Sequence, residues 1–141
     1  MATETPIEKK IRQFKAEVCD RELTTEQAKI YAAFTKTNGK TINVHVTDCE
    51  GVNLKIALDS STEVKKILLK HYKTSDGTVT ALQILNMFDL VRKGKKYFSQ
   101  GNYVYSVKKV KNSVTYKTVI KIYSNGKDAV LKSFHSTIGY K

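Results

Sequence analysis

Histidine, serine, threonine and tyrosine side chains set beside lysines can move protons and hold a phosphate, and the C-terminal part of this 141-residue chain gathers all of them. Two β-branched and aromatic runs, Thr115-Tyr-Lys-Thr-Val-Ile-Lys-Ile-Tyr123 and Asp128-Ala-Val-Leu-Lys-Ser-Phe-His-Ser-Thr137, flank Asn125-Gly126. Asn-Gly between such runs is the strongest short-range hairpin signal, because a type I′ turn needs positive φ at both central positions. A two-residue loop there predicts Ile122 opposite Ala129, Ile120 opposite Leu131, Thr118 opposite Ser133 and Tyr116 opposite His135. Side chains alternate between faces, so these residues would lie together. Their shared face is aliphatic near the turn and becomes Tyr, Thr, Ser and His away from it. Lys117, Val119 and Lys121 would fall on the opposite face, joined by Lys132 as a solvated basic surface.

Such a set suits one reaction on RNA. A base takes the 2′-hydroxyl proton, cations stabilise the crowded phosphorane, and an acid protonates the leaving 5′-oxygen. Histidine is the side chain that titrates near neutral pH without a large environmental shift. DNA lacks the 2′-hydroxyl, so the chemistry selects RNA. Nucleases that use metals need clustered carboxylates to hold Mg²⁺. From residue 76 onward the acids are Asp76, Asp89 and Asp128 alone, so no metal and no cofactor are expected.

A second histidine sits where a helix should end. Val64, Ile67, Leu68 and His71 fall on one stripe at i, i+3, i+4 and i+7 after the capping box Ser60-x-x-Glu63. A His on an apolar stripe is more often a hydrogen-bonded core residue. At a helix C-terminus, however, the dipole favours imidazolium, which would make His71 a general acid or a phosphate cation, with Lys70 beside it. His45 lies on the polar side of an early strand and is a weaker candidate. Thr80-x-x-Gln83 starts a further helix, broadly apolar through Val91, that ends in Arg92-Lys93-Gly94-Lys95-Lys96, expected as a basic loop able to clamp phosphate. Asn102 to Val110 should turn at Lys111-Asn112, placing Tyr105 beside Thr118 and Val107 beside Tyr116.

The remaining elements follow from local signals. Thr5-Pro6-Ile7-Glu8 and Thr24-x-x-Gln27 each start a helix, the second stopping at Asn38-Gly39. Residues 41–47 and 52–58 alternate as a hairpin. The class expected is therefore α+β, with N-terminal helices followed by a C-terminal antiparallel sheet. Charge is unevenly placed: residues 92–141 hold twelve Lys/Arg against one acid, whereas residues 1–91 hold thirteen against twelve. A basic half on a near-neutral half implies a polyanion-binding surface. Nothing in the chain reads as a membrane span or leader peptide, and Cys19 and Cys49 fit reduced thiols in a cytoplasmic setting.

Lys70-His71-Tyr72 closing one helix, Gly77-Thr-Val-Thr-Ala-Leu-Gln-Ile opening the next, Asn102-Tyr-Val-Tyr, a central strand and Leu131-Lys-Ser-Phe-His-Ser-Thr137 at the end resemble the barnase, EndoU, colicin and RelE-like (BECR) ribonucleases, found in bacterial and phage-borne toxin domains. The resemblance covers about residues 52–137. It implies a 1–40 helical segment before a 41–141 ribonuclease domain. It implies a metal-independent endoribonuclease toxin acting on RNA, tRNA included, in the cytoplasm, reached by delivery into a target bacterium within a larger secreted toxin. It also matches His71 to the family's helix-terminal His and Ser133 to its last-strand Ser/Thr, leaving open how His71 and His135 divide the work. Tyr116 and Thr137 complete the expected catalytic set. Lys70, Arg92, Lys93, Lys95, Lys96, Tyr105, Lys117, Thr118 and Lys132 would bind RNA. An acidic immunity protein or antitoxin is the partner expected for so basic a nuclease. The alternative is a non-catalytic RNA- or DNA-binding module, with tyrosines as a stacking platform.

Overall fold

The computed structural model describes residues 3–35, 41–59, 63–75, 77–109 and 114–138. The chain is α+β. Helices α1 (Pro6–Val18) and α2 (Thr25–Thr35) precede strands β1 (Thr41–Thr47) and β2 (Asn53–Asp59). Then come α3 (Glu63–His71), α4 (Ala81–Leu85), α5 (Asp89–Lys93), β3 (Lys95–Ser99), β4 (Asn102–Lys109), β5 (Val114–Ile122) and β6 (Asp128–Ile138). The capping boxes at Thr5/Glu8, Thr24/Gln27 and Thr80/Gln83 all form. Ser60, the Asn38-Gly39 stop and the Lys111-Asn112 turn lie outside the described residues. The helix expected from Thr80 through Val91 is instead two short helices separated by a turn at 86–88.

The strands form one sheet in the order β1-β2-β6-β5-β4-β3. This corrects the expectation of a separate early hairpin and a three-stranded antiparallel sheet: β2 runs parallel to β6, through Lys55–Asp128, Ile56–Ala129 and Ala57–Val130. Lys95 and Lys96, expected in a loop, belong to edge strand β3. Helices α1 to α5 all contribute to one apolar core on one face of the sheet, with Phe14 and Phe34 of the N-terminal helices packed into it. The strand residues meeting them include Val44, Ile56, Tyr105, Thr118, Ile120, Leu131 and Phe134, all buried. On the other face His45, Lys55 and Lys121 are exposed.

The expected β4–β5 register is observed, with Tyr105 opposite Thr118 and Val107 opposite Tyr116. In the β5–β6 hairpin Ile122 faces Ala129 and Ile120 faces Leu131 as expected. The loop is longer than the type I′ form: Tyr123 N–H donates to Asp128 O, Gly126 takes φ +72°, and Asn125 Oδ1 accepts from the Lys127 and Asp128 amides. Beyond Leu131 the register shifts, because Val119 pairs with Ser133 while its neighbour Ile120 pairs with Leu131. Lys132 is the extra residue of a β-bulge, and a bulge exchanges the faces of everything after it. Thr118 therefore faces Phe134, and Tyr116 faces Ser136, not Ser133 and His135.

Asp48, at the β1–β2 turn, is tied to the far edge of the sheet. Its carboxylate accepts from Lys96 Nζ and Tyr105 Oη, each at 2.8 Å, and from the Glu50 and Val52 amides. Lys96 also pairs with Glu50 at 3.0 Å. Burial pushes the Asp48 carboxyl up, but Lys96, the Val52 amide, Tyr105 and the Glu50 amide together bring it below its ordinary 3.8. A depressed carboxyl contributes stability above its ordinary pKa and loses it as pH falls through the folded value. Urea melts are expected to show the wild type weakening on going from about pH 7 to about pH 3. Asp48→Ala should lose about 3 to 5 kcal/mol at neutral pH, since it removes the acceptor of the buried Tyr105 hydroxyl and of two amides and leaves Lys96 with the exposed Glu50 alone. A variant as stable as wild type would remove this network from the account of the fold.

Candidate functional site

The free edge of β6 builds the site. β2 pairs with β6 only at residues 128–130, and past that point α3 packs along the strand. The segment that follows α3 then returns to the same edge. Val79 N–H donates to His71 O at 2.8 Å, Ser136 N–H donates to Gly77 O at 3.1 Å, and Ser136 Oγ donates to Thr78 O at 2.7 Å. The end of α3 and the outer half of β6 are thereby stitched together through Gly77–Val79. The two histidines meet there, with His71 and His135 ring centroids 5.3 Å apart and tilted by 33°. Ser133 Oγ lies 2.9 Å from His135 Nδ1. His71 and Ser133 line a pocket of about 230 Å³ with Glu63, Lys66, Ile67, Lys70 and Lys132.

Of the residues expected from sequence, His71, His135, Ser133, Lys70 and Lys132 converge. Thr137 shares the outward face with Ser133 and His135, opposite Thr115. Lys117 joins them, directly opposite His135, although two-residue alternation had assigned it to the other face. The bulge at Lys132 is the reason. The tyrosine and threonine partners move the opposite way. Thr118 is fully buried and donates to Met87 O at 2.7 Å, so it is a core residue rather than a phosphate ligand. Tyr105 is fully buried on Asp48, which together with burial raises its phenol far above the ordinary range. Tyr116 is on the helix-covered face, in a separate groove with Leu82, Leu90, Val107 and Phe134. None of the three stands with the histidines.

The expected clamp at 92–96 also divides. Arg92 is bonded to Glu26 and Asp89, and Lys96 to Asp48 and Glu50, so both are structural. Lys93 and Lys95 are exposed. His45 is exposed opposite Lys55, on the early hairpin and apart from the other histidines.

Two features were missed. Glu63 Oε1 stands 3.7 Å from Lys66 Nζ and 3.9 Å from Lys132 Nζ in the pocket, where sequence suggested only a capping role. Helix α1 also grips the turn just after His71. Lys10 Nζ donates to the Tyr72 and Lys73 carbonyls, Tyr72 Oη donates to Glu17, and Lys73 Nζ pairs with Glu17 at 3.0 Å. Lys73 is held at φ +54°, a conformation that side-chain-bearing residues adopt only when their surroundings impose it. No sequence signal links residues so far apart.

Among the described residues no three His, Cys, Asp or Glu side chains group closely enough to hold a metal ion, and no helix is long and apolar enough to cross a membrane. No known family, curated protein or solved structure matches the chain.

Proposed function

We propose that this chain is a metal-independent endoribonuclease, acting as a toxin on cellular RNA such as tRNA. The observation that supports it best is the meeting of His71, His135 and Ser133 at one sheet edge, with Lys70, Lys117 and Lys132 around them. One imidazole takes the 2′-hydroxyl proton as the 2′-oxygen attacks phosphorus. The lysines stabilise the phosphorane charge. The other imidazole gives a proton to the 5′-oxygen as its bond to phosphorus breaks. Ser133, hydrogen-bonded to His135, fixes the orientation of that ring or holds a phosphate oxygen.

Incubating the purified protein with an RNA oligonucleotide in EDTA should yield 2′,3′-cyclic phosphate and 5′-hydroxyl ends. A requirement for Mg²⁺, or 5′-phosphate products, would overturn the mechanism. The breadth of the basic outward face also suits a non-catalytic nucleic-acid binder, which would retain RNA in EDTA and leave it intact. Either protein should bind with strong salt dependence, each neutralised phosphate adding roughly 0.7 to the slope of log K against log salt on single strands. Charge reversal at Lys117 and Lys132 should flatten that slope, whereas Lys96, held by two carboxylates, should matter through stability instead. An acidic inhibitor covering this face would protect a cell that makes the enzyme, and opposite charge would speed its capture.

A further inference from the structure

The outward face is organised in rows that cross the strands. One row runs His135, Lys117, Ser106, Lys95, each residue directly opposite the next across β6, β5, β4 and β3. The adjacent row, two residues along each strand, runs Ser133, Val119, Val104, Tyr97. It starts at the hydroxyl that holds His135 and is apolar beyond it. Lys121 stands exposed on the far side of this row. Val104 is only 6% exposed although it lies on the face that the helices leave open, between the half-buried Tyr97 and Val119. An apolar strip with a row of cations along one side and Lys121 on the other suits a strand of nucleic acid whose bases lie on the strip and whose phosphates follow the row that holds Lys117 and Lys95.

We infer that Tyr97, with Val104 and Val119, forms a nucleobase-stacking subsite for an unpaired nucleotide beyond the cleaved phosphate. The inference deepens the ribonuclease reading and rests on it. Strands lie about 4.8 Å apart, so the three spacings from β6 to β3 put Tyr97 roughly 14 Å from Ser133. A dinucleotide that just straddles the reacting phosphate does not reach that far, whereas a longer single strand does. Bases in a duplex have their faces covered by their neighbours, so the substrate segment is a loop or another single-stranded region. Tyr105 and Tyr116, the tyrosines first expected near the chemistry, are on the other face and cannot serve.

The test compares two substrates: a dinucleotide, and a longer chimeric oligonucleotide with one ribonucleotide among deoxynucleotides, so that a single phosphate is cleavable. Tyr97→Ala and Tyr97→Leu should lower kcat/KM on the chimera by roughly 5- to 100-fold, the worth of one base stacked on an aromatic ring, mainly through KM. Tyr97→Leu still covers Val104, so its loss cannot be ascribed to an exposed valine. Both should cleave the dinucleotide as wild type does, and Tyr97→Phe should behave as wild type on both substrates. Equal rates for wild type and Tyr97→Leu on the chimera would overturn the subsite, as would equal losses on both substrates. If wild type cuts neither substrate, the ribonuclease reading fails by itself. Fluorescence anisotropy with an all-deoxy single strand then decides the subsite: weaker binding by Tyr97→Leu supports it, and unchanged binding overturns it.

Discussion

His135→Ala and His71→Ala are each expected to slow RNA cleavage by about 10² to 10⁴-fold, with folding and RNA binding retained. That is the range for proton transfer by a positioned side chain. The expectation follows from two rings with centroids 5.3 Å apart, arriving from different elements, one held by Ser133 and the other at the pocket that Ser133 lines. Single-turnover cleavage of a labelled oligonucleotide, alongside anisotropy for binding, separates chemistry from affinity. Wild type should show a bell-shaped pH dependence, and each variant should lose one limb. Ser133→Ala should have a smaller effect, because it loosens His135 without removing it. If only one histidine matters, Lys117, opposite His135 in the sheet, inherits the other role. If neither matters, cleavage does not occur here.

Gly77→Ala should damage the site from a position that carries no functional group. A Cβ on Gly77 would lie 2.8 Å from His71 Nδ1 and 3.1 Å from both His71 Cε1 and Ser136 O. The residue also sits at φ +62°, where an L side chain costs about 1 to 2 kcal/mol. The imidazole must therefore move, and with it the seam joining Gly77 to Ser136. Cleavage is expected to fall roughly 10²-fold, approaching the loss of a general acid or base. The melting temperature should drop by roughly 3 to 8 °C. Combining Gly77→Ala with His71→Ala removes the clash, so the double variant should be more stable than the sum of the two losses predicts. Strict additivity, or full activity in Gly77→Ala, would show that the ring does not need its present position.

Local physics made much of this protein legible in its sequence. Capping boxes act over three residues, and all three that lie within the described residues formed as read. Alternation and turn residues act between near neighbours, and they gave the α+β class, the β4–β5 register and the β5–β6 register as far as Leu131. The charge asymmetry and the histidine at the end of α3 were likewise visible. The bulge at Lys132 was not read, although the sequence carried its mark. Ala129 and Leu131 are two residues apart, but the next apolar residue, Phe134, is three further on. A strand keeping strict alternation would have turned Phe134 to solvent; burying it inserts one residue and turns Ser133 and His135 outward to meet Lys117. That one slip exchanged Tyr116 and Thr118 for Lys117 in the site. Tertiary structure alone decided the rest, because the energies involved join distant residues. Parallel pairing of β2 with β6 leaves the outer part of β6 open for α3, Asp48 fastens Lys96 and Tyr105 out of the site, and α1 secures the turn beside His71. Such contacts form only after the chain has closed long loops, and no local pattern of residue types records which distant partners will meet.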